Sequence, residues 1–501
     1  MKRALLINWD NYPHVTSGGV YTWAKSLVDN MADWDFLVLN QLSNPNASEA
    51  GALPPNVRRV IPIPMFGTYR MEEYTPNGPF VERARRTTDS VIERQFLPRY
   101  QGLIRLLLAD IPEPKGLARA VADLHGFLTD YDAKKCFEDP RTWLAFSQHV
   151  QADPLYSGMR LKEALLNFQV VQRSLQVLSV QVPKVDLIHS SLAWLPALAG
   201  VSAKMKNGCP LIVTEHGVAF RELLLYYNLF LDNEVSKVFW TVFTRNIVRV
   251  IYSEADVIIP VCHANAEWEV RLGADPSKIR VIHNGVDTAR FRPLAPARTG
   301  VDGGRPTIVS VSRISVFKDI VALIQATGYV RRTIPNVLCL VFGSSTEPEY
   351  AAMCQATIRR LGLAECFRLM GPTKEPEKAY AMADVVAFGS ITEAFPFAVI
   401  EAMACQRAVV STDVGGVRES LEGCGLLVRS RRPRELADAI IRLLRDDGLR
   451  SSLASAGLAR ARREFSLERS VRRYRDLYEE VTTFPGKGRG REVGQRPVVS
   501  R

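Results

Sequence analysis

The segment Asp384–Ser411, DVVAFGSITEAFPFAVIEAMACQRAVVS, decides how the chain is read. Asp384–Phe388 is a short apolar run of the kind that forms a buried strand. Pro396 cannot sit inside a helix but suits the first helical position, so a helix is expected from Pro396 to about Cys405. Ala408–Ser411 is a second apolar run. Strand, loop, helix and strand in this order indicate α/β layers around a parallel sheet. Glu393 then lies in the loop at the strand's carboxyl end, where open α/β sheets bind ligands. Glu401 follows on the helix, and the helix N-terminus offers the free N–H groups of Phe397 and Ala398 to an anion or a hydroxyl.

The same alternation extends in both directions. Strands are expected at Ala4–Asn8, Phe36–Asn40, Val57–Pro64, Asp186–Ser190, Leu211–Glu215 and Val257–Val261. A second series is expected at Thr307–Ser312, Val337–Phe342, Phe367–Met370, Asp384–Phe388, Ala408–Ser411 and Leu426–Val428. Between about residues 79 and 178 the pattern is helical, as in Phe96, Tyr100, Ile104 and Leu107, and no strand signal interrupts it. This reads as a helical insertion between two strands of one sheet. A linker rich in Pro, Gly and Arg, Phe291–Pro306, separates the two series. The expected organisation is an N-terminal Rossmann-like domain over 1–290 and a second over 291–466. A C-terminal helix over 467–483 is expected to pack back on the first domain. The basic, Gly-rich end, 484–501, reads as disordered.

Bulk properties bound the function. The 501 residues favour more than one domain. The net charge of +11 could serve nucleic acid, an anionic membrane face or phosphorylated ligands. Aromatic and basic residues do not interleave outside the tail, which counts against nucleic acid. In MKRALLINWDNYP only Ala4–Ile7 separate the basic pair from Asn8, too few for a signal-peptide core, and no apolar run is long enough to span a bilayer. Eight cysteines are scattered from Cys136 to Cys424 without a C-x-x-C pair, which points to a reducing cytoplasm and away from disulfides or a zinc site.

Other candidate residues sit at strand ends. In VSRISVFKDI, Arg313 and Lys318 follow a strand, and two cations at a sheet mouth suit a diphosphate, Arg by a bidentate grip and Lys as a point charge. In HVTSGGVYTW, Gly18 and Gly19 precede a helix and let backbone approach a phosphate or sugar. Glu215 and His216 in LIVTEHG end one strand, and His189 in DLIHSS ends another. A hydrogen-bonded structural role is the alternative for each histidine.

In combination these motifs are more specific. SGGV, then R-x4-K after the first strand of the second domain, then E-x7-E, STDVGGVRE (Ser411–Glu419) and GCGLLV (Gly423–Val428) occur in a fixed order. The chain thereby resembles the retaining glycosyltransferases of family 4, with the GT-B fold, from Met1 to about Val481. The resemblance implies that Arg313 and Lys318 hold the diphosphate of a nucleotide-sugar, with UDP-sugar the expected donor. Glu401 would bind the ribose hydroxyls, Glu393 would act at the donor sugar, and Gly18, Gly19, Phe397 and Ala398 would line the donor. His216 would take a catalytic place on the acceptor side, with His189 and Glu215 near it. The implied partners are a nucleotide-sugar and a glycan acceptor in polysaccharide synthesis, with no cofactor or metal. The family's frequent glycines are replaced here by Ala394 and Asp319.

Arg83, Arg85, Arg86, Arg94, Arg99 and Arg105 of the insertion suggest a cytoplasmic protein placed peripherally at a membrane, beside membrane partners. Two other readings are a nucleotide-sugar 2-epimerase, which would release free sugar, and a non-catalytic basic binding protein.

Overall fold

The computed structural model describes residues 1–15, 18–44, 46–47, 51–66, 80–295, 304–345 and 347–483. The tail expected to be disordered, 484–501, lies outside the described residues, as do 296–303 of the linker and residue 79 at the expected start of the insertion. The chain forms two units. The first comprises Met1–Pro260, Ala266–Val281 and the chain from Tyr474, and the second comprises Val261–Asn265 and Ile282–Arg473.

The first unit holds a six-stranded parallel sheet of β1 (Lys2–Trp9), β2 (Trp34–Leu42), β3 (Val57–Pro64), β4 (Leu187–Ser190), β5 (Leu211–Glu215) and β6 (Val257–Pro260). Its order is β3-β2-β1-β4-β5-β6. The second unit repeats the plan with β7 (Thr307–Val311), β8 (Leu338–Phe342), β9 (Phe367–Gly371), β10 (Val385–Phe388), β11 (Ala408–Thr412) and β12 (Leu426–Val428). There the order is β12-β11-β10-β7-β8-β9. All twelve expected strands are present. Their continuous apolar runs follow from burial on both faces: Ala4–Ile7, Leu211–Val213 and Val385–Ala387 are each fully buried. In each sheet the order reverses once, between β1 and β4 and between β7 and β10. Such reversal points are where doubly wound sheets open a crevice for ligands.

Between β3 and β4 the first unit carries a helical insertion, including Leu97–Leu107, Pro114–Asp130, Pro140–Ala152 and Leu161–Leu175. Phe96, Tyr100, Ile104 and Leu107 all face its core, as their spacing predicts. The helix enters through a π turn at Ile92–Phe96 rather than running regularly from its start. Aromatic packing holds the insertion together: Phe96 lies 5.6 Å from Tyr100 and from Phe137, and Phe146 lies 5.2 Å from Phe168 and 6.0 Å from Phe239. Truncating one such ring to Ala typically costs about 3–5 kcal/mol.

Two expectations need correction. Pro396 is the N-cap of the helix Phe397–Ala404 and not its first helical residue, because its ψ of 124° is extended. Arg83 is not a surface cation, being 8% exposed. Arg86 is paired with Glu82 and Arg99 with Asp123, which leaves Arg85, Arg94 and Arg105 as exposed arginines of that group with no ion pair among the described residues.

The C-terminal helix Leu467–Thr483 ends in the first unit. There the Tyr478 ring packs 5.0 Å from Trp34, and Arg475 donates to the carbonyl of Asn30 at 2.7 Å. No helix among the described residues is long and apolar enough to cross a membrane.

Candidate active site

The reversal between β7 and β10 sets two loops side by side in the second unit. Phe388 leads into Gly389, Ser390 and Ile391, and the N–H of Ile391 donates to the carbonyl of Phe317 at 2.8 Å. On the other flank, Thr412 Oγ1 donates to the carbonyl of Ser390 at 2.7 Å. The loop carrying Glu393 is thus fastened to the loop after β7 and to the last residue of β11.

This fastening brings Lys318 and Glu393 together. Lys318 Nζ lies 2.5 Å from Glu393 Oε1, and Ser390 Oγ donates to the same oxygen at 2.7 Å. The two side chains are 22% and 12% exposed, so the pair is shielded but reachable. Lys318 is therefore not a free cation, and its charge is already answered by the carboxylate. Arg313, two residues after β7, is exposed and enters no ion pair among the described residues, so its charge is uncommitted. Asp319 explains its own departure from glycine. Its φ of 43° is left-handed, which Asp tolerates better than most residues, and its Oδ1 accepts from Ala322 N at 3.1 Å to cap the helix Ile320–Thr333.

The motif DVGGV supplies a support that local sequence does not reveal. Gly416 N donates to the carbonyl of Ala394 at 2.6 Å. A Cβ on Gly415, whose φ is 53°, would stand 1.8 Å from the Glu393 carbonyl oxygen. Only glycine lets this backbone approach so closely.

Phe397 and Ala398 open the helix Phe397–Ala404, whose N-terminus has no side-chain cap. Glu401 lies farther along and accepts a hydrogen bond from Tyr380 Oη at 3.0 Å. Burial raises its carboxyl to about 7, against the pull of the Tyr380 hydrogen bond and the Arg290 charge.

The first unit separates its candidates sharply. Gly18 caps the helix Gly19–Asp29 with φ 103°, a conformation that favours glycine. That helix carries Trp23, whose ring lies 5.2 Å from His189, 4.5 Å from His216 and 5.7 Å from Tyr474. His189 is fully buried, with Nδ1 2.7 Å from Tyr478 Oη and Nε2 2.7 Å from Thr214 Oγ1. Both nitrogens are taken, so His189 is a structural histidine rather than an acceptor contact. His216 differs: both of its ring nitrogens are buried without a hydrogen-bond partner, and so is Trp23 Nε1. Burial lowers His216 to about 3, so its ring is neutral and a weak base.

Glu215 is also removed from direct acceptor contact, because it is fully buried. Its Oε1 accepts from Tyr252 Oη at 3.0 Å, and burial pushes its carboxyl up to about 8. Glu269, likewise fully buried, is raised by burial and by the charge of Glu215. No sequence spacing connects Tyr252, Glu269, Trp23 or Tyr474 to these sites; the folded chain alone assembles them.

Residues 3–277 match the family model for the domain of unknown function DUF3492, and residues 305–446 match that for glycosyl transferases group 1. The alpha-maltose-1-phosphate synthase of Mycobacterium tuberculosis is 30% identical over 317 residues, 59% of this chain and 79% of that protein. A D-inositol 3-phosphate glycosyltransferase of Salinispora arenicola is 30% identical over 331 residues, 60% of this chain and 70% of that protein. Among solved structures, sucrose-phosphate synthase from Thermosynechococcus elongatus aligns with a TM-score of 0.63 at 19% identity, covering 96% of this chain and 100% of that one. Anabaena HepE in complex with UDP aligns with a TM-score of 0.58 at 16% identity, also covering 96% and 100%. These structural likenesses concern the fold, two Rossmann-like halves of GT-B type.

Two predictions follow from the geometry. Gly415→Ala should push the loop from the Glu393 carbonyl and lower the rate of sugar transfer while far-UV circular dichroism stays unchanged; an unaltered rate would remove the close approach from the site's design. The second concerns pH. The fold holds Glu215 neutral, whereas the unfolded chain ionises it above its ordinary pKa. The resulting stability is complete below about pH 4.5 and is lost as pH rises toward the folded value of about 8. Glu215→Gln is neutral at every pH. Relative to wild type it should gain up to about 3 kcal/mol between pH 6 and pH 8, read from urea midpoints. Parallel curves for the two proteins would contradict this.

Matched at both ends by family models and along most of its length by glycosyltransferase relatives, the chain belongs to the DUF3492 family and is a group 1 glycosyltransferase of GT-B fold.

Proposed function

We propose that the protein moves a sugar from a nucleotide-sugar, with a UDP-sugar as donor, to a glycan acceptor, and that it retains the configuration of the transferred sugar. One observation carries the reading: the shielded Lys318–Glu393 pair joins the loops after β7 and β10 at the mouth of a parallel sheet, and the exposed Arg313 lies in the first of these loops. Two UDP-bound or UDP-glucose-bound structures of Anabaena HepE share the fold and support the donor class.

In this scheme Arg313 grips the donor diphosphate and Lys318 turns from Glu393 to the phosphate. The free N–H groups of Phe397 and Ala398 face the same anion, and Glu401 accepts from ribose hydroxyls. Glu393, released from Lys318, meets the sugar. The bond from the anomeric carbon to the phosphate oxygen breaks as negative charge on the leaving diphosphate is stabilised. The acceptor hydroxyl attacks from the same face, its oxygen bonds to the anomeric carbon, and its proton passes to the departing phosphate oxygen. His216, neutral and with both nitrogens unpartnered, orients a hydroxyl on the acceptor side. No metal is required where two cations and a helix N-terminus already answer the diphosphate charge.

The N-terminal half further resembles PelF, the cytosolic glycosyltransferase of Pel exopolysaccharide synthesis, in YPHVTSGGVYTW, DLIHSS, TEHGVAFRE and the long helical insertion. This supports a polysaccharide acceptor and work at the inner face of a membrane.

Three measurements test the reading. Glu393→Gln should lower turnover by about 10² or more while UDP binds at least as tightly as before, since Lys318 loses its competing partner. Wild-type turnover would remove Glu393 from the mechanism. Arg313→Ala should weaken UDP binding by about 1.5–3 kcal/mol, Arg313→Lys should restore little, and transfer should persist in EDTA. Normal UDP binding by Arg313→Ala would move the phosphate site elsewhere, and release of free sugar without an acceptor would mark an epimerase instead.

For the membrane, Arg85, Arg94 and Arg105 should give salt-sensitive flotation with anionic vesicles at low ionic strength. Absence of the protein from the floated fraction would reject peripheral binding.

A further inference from the structure

We propose that His263, His283 and Glu419 form a binding site for one divalent transition cation of the zinc class. The three residues come from distant parts of the second unit: the start of the helix His263–Arg271, the IHNGVD segment, and the helix Val417–Leu421. Their ligand atoms all lie within 4.8 Å of one another, the one such cluster of three among the described residues.

Two of the three ligands are already fixed in orientation. Glu419 Oε2 accepts from the N–H of His263 at 2.9 Å, and Oε1 from that of Ala264 at 3.0 Å. These bonds leave lone pairs on a carboxylate that can accept about four. The His283 ring packs 4.7 Å from Phe395 and 5.5 Å from Phe465, and its carbonyl accepts from Ser470 Oγ at 3.0 Å. His283 Nε2 lies 3.3 Å from Glu419 Oε2. That is long for a charge-assisted hydrogen bond, which is ordinarily about 2.7–2.9 Å. It equals the ligand–ligand edge, about 3.3 Å, of a tetrahedron with metal bonds of about 2.0–2.1 Å.

His263 is exposed, so its ring can turn to complete a three-ligand set, and the fourth position opens to water. Two imidazoles and one carboxylate suit Zn²⁺, Co²⁺ or Ni²⁺, whereas Mg²⁺ and Ca²⁺ prefer oxygen alone. The neighbouring cation Arg460 does not compete for the carboxylate. It donates to the Glu419 backbone carbonyl at 2.8 Å and pairs with Glu464 at 3.2 Å. A bound cation would fasten Val261–Asn265, a short piece of the second unit, to Glu419 and His283. His283 in turn packs on Phe395, two residues from Glu393.

The test uses the full chain, stripped with chelator and dialysed. Cobalt(II) should bind at one equivalent with the visible bands of tetrahedral coordination, and zinc should displace it. Zinc at 100-fold excess over its dissociation constant should raise Tm by about 5 °C or more. His263→Ala is the main variant, because its ring is exposed and its stability in EDTA should match wild type. It should lose the tetrahedral bands and bind zinc about tenfold or more weakly. His283→Asn should do the same. Wild type without tetrahedral bands, or His263→Ala binding zinc as tightly as wild type, would overturn the site and leave a histidine–glutamate hydrogen bond that caps a helix.

Discussion

The chemistry of the second unit depends on β7 and β10 lying side by side. Sequential strands would have put the loops after them on separate edges, but the order β12-β11-β10-β7-β8-β9 makes them neighbours. Lys318 leaves one loop and Glu393 the other, so residues 75 apart in the chain meet at 2.5 Å. Neither loop could hold its charge in place alone. The Ile391–Phe317 hydrogen bond, the Thr412 hydroxyl on Ser390 and the glycine approach at Gly415 together fix the Glu393 backbone. A site assembled on strand ends in this way is positioned by the sheet and is reached through the loops.

In the first unit the same physics sorts residues that look alike in sequence. A buried polar atom without a partner costs about 1–3 kcal/mol, so native chains seldom tolerate one without reason. His189 satisfies the rule through Tyr478 and Thr214. His216, packed against the same Trp23, breaks it at both nitrogens, and the indole beside it breaks it as well. The C-terminal helix marks the difference, since its Tyr478 hydroxyl meets the His189 ring.

Much of the fold was legible because each strand is buried on both faces and reads as a short unbroken apolar run. The insertion was legible because Phe96, Tyr100, Ile104 and Leu107 keep helical spacing even where a π turn interrupts the helix. At the site, Glu393, Lys318 and Arg313 were visible from their places after strands, but the ion pair was not, since it depends on strand order. Histidines 189 and 216 could not be told apart, because both end strands of one sheet and only tertiary partners distinguish them. The motif around Gly415 gives that residue no role by itself, as nothing local reveals that the Glu393 carbonyl stands against it. Glu419 was hidden for the same reason: its partners, His263 and His283, lie more than 130 residues earlier.

The pair also bears on how the fold holds two opposite charges at this depth. A lone lysine or carboxylate at this depth would carry a desolvation penalty, and removing one partner from a shielded pair is far costlier than replacing both. Pairing Lys318 with Glu393 lets the fold hold both charges at little net potential. In the proposed reaction an incoming diphosphate would substitute one anion for another beside Lys318, so the exchange would leave no cation unpaired. Glu393 would be set free only with the phosphate in place, when the sugar attached to it needs a carboxylate. Arg313, exposed and outside any ion pair among the described residues, would be the charge that draws the donor before that exchange. On this proposal one pair of side chains, set by the order of the strands, couples donor arrival to the release of Glu393.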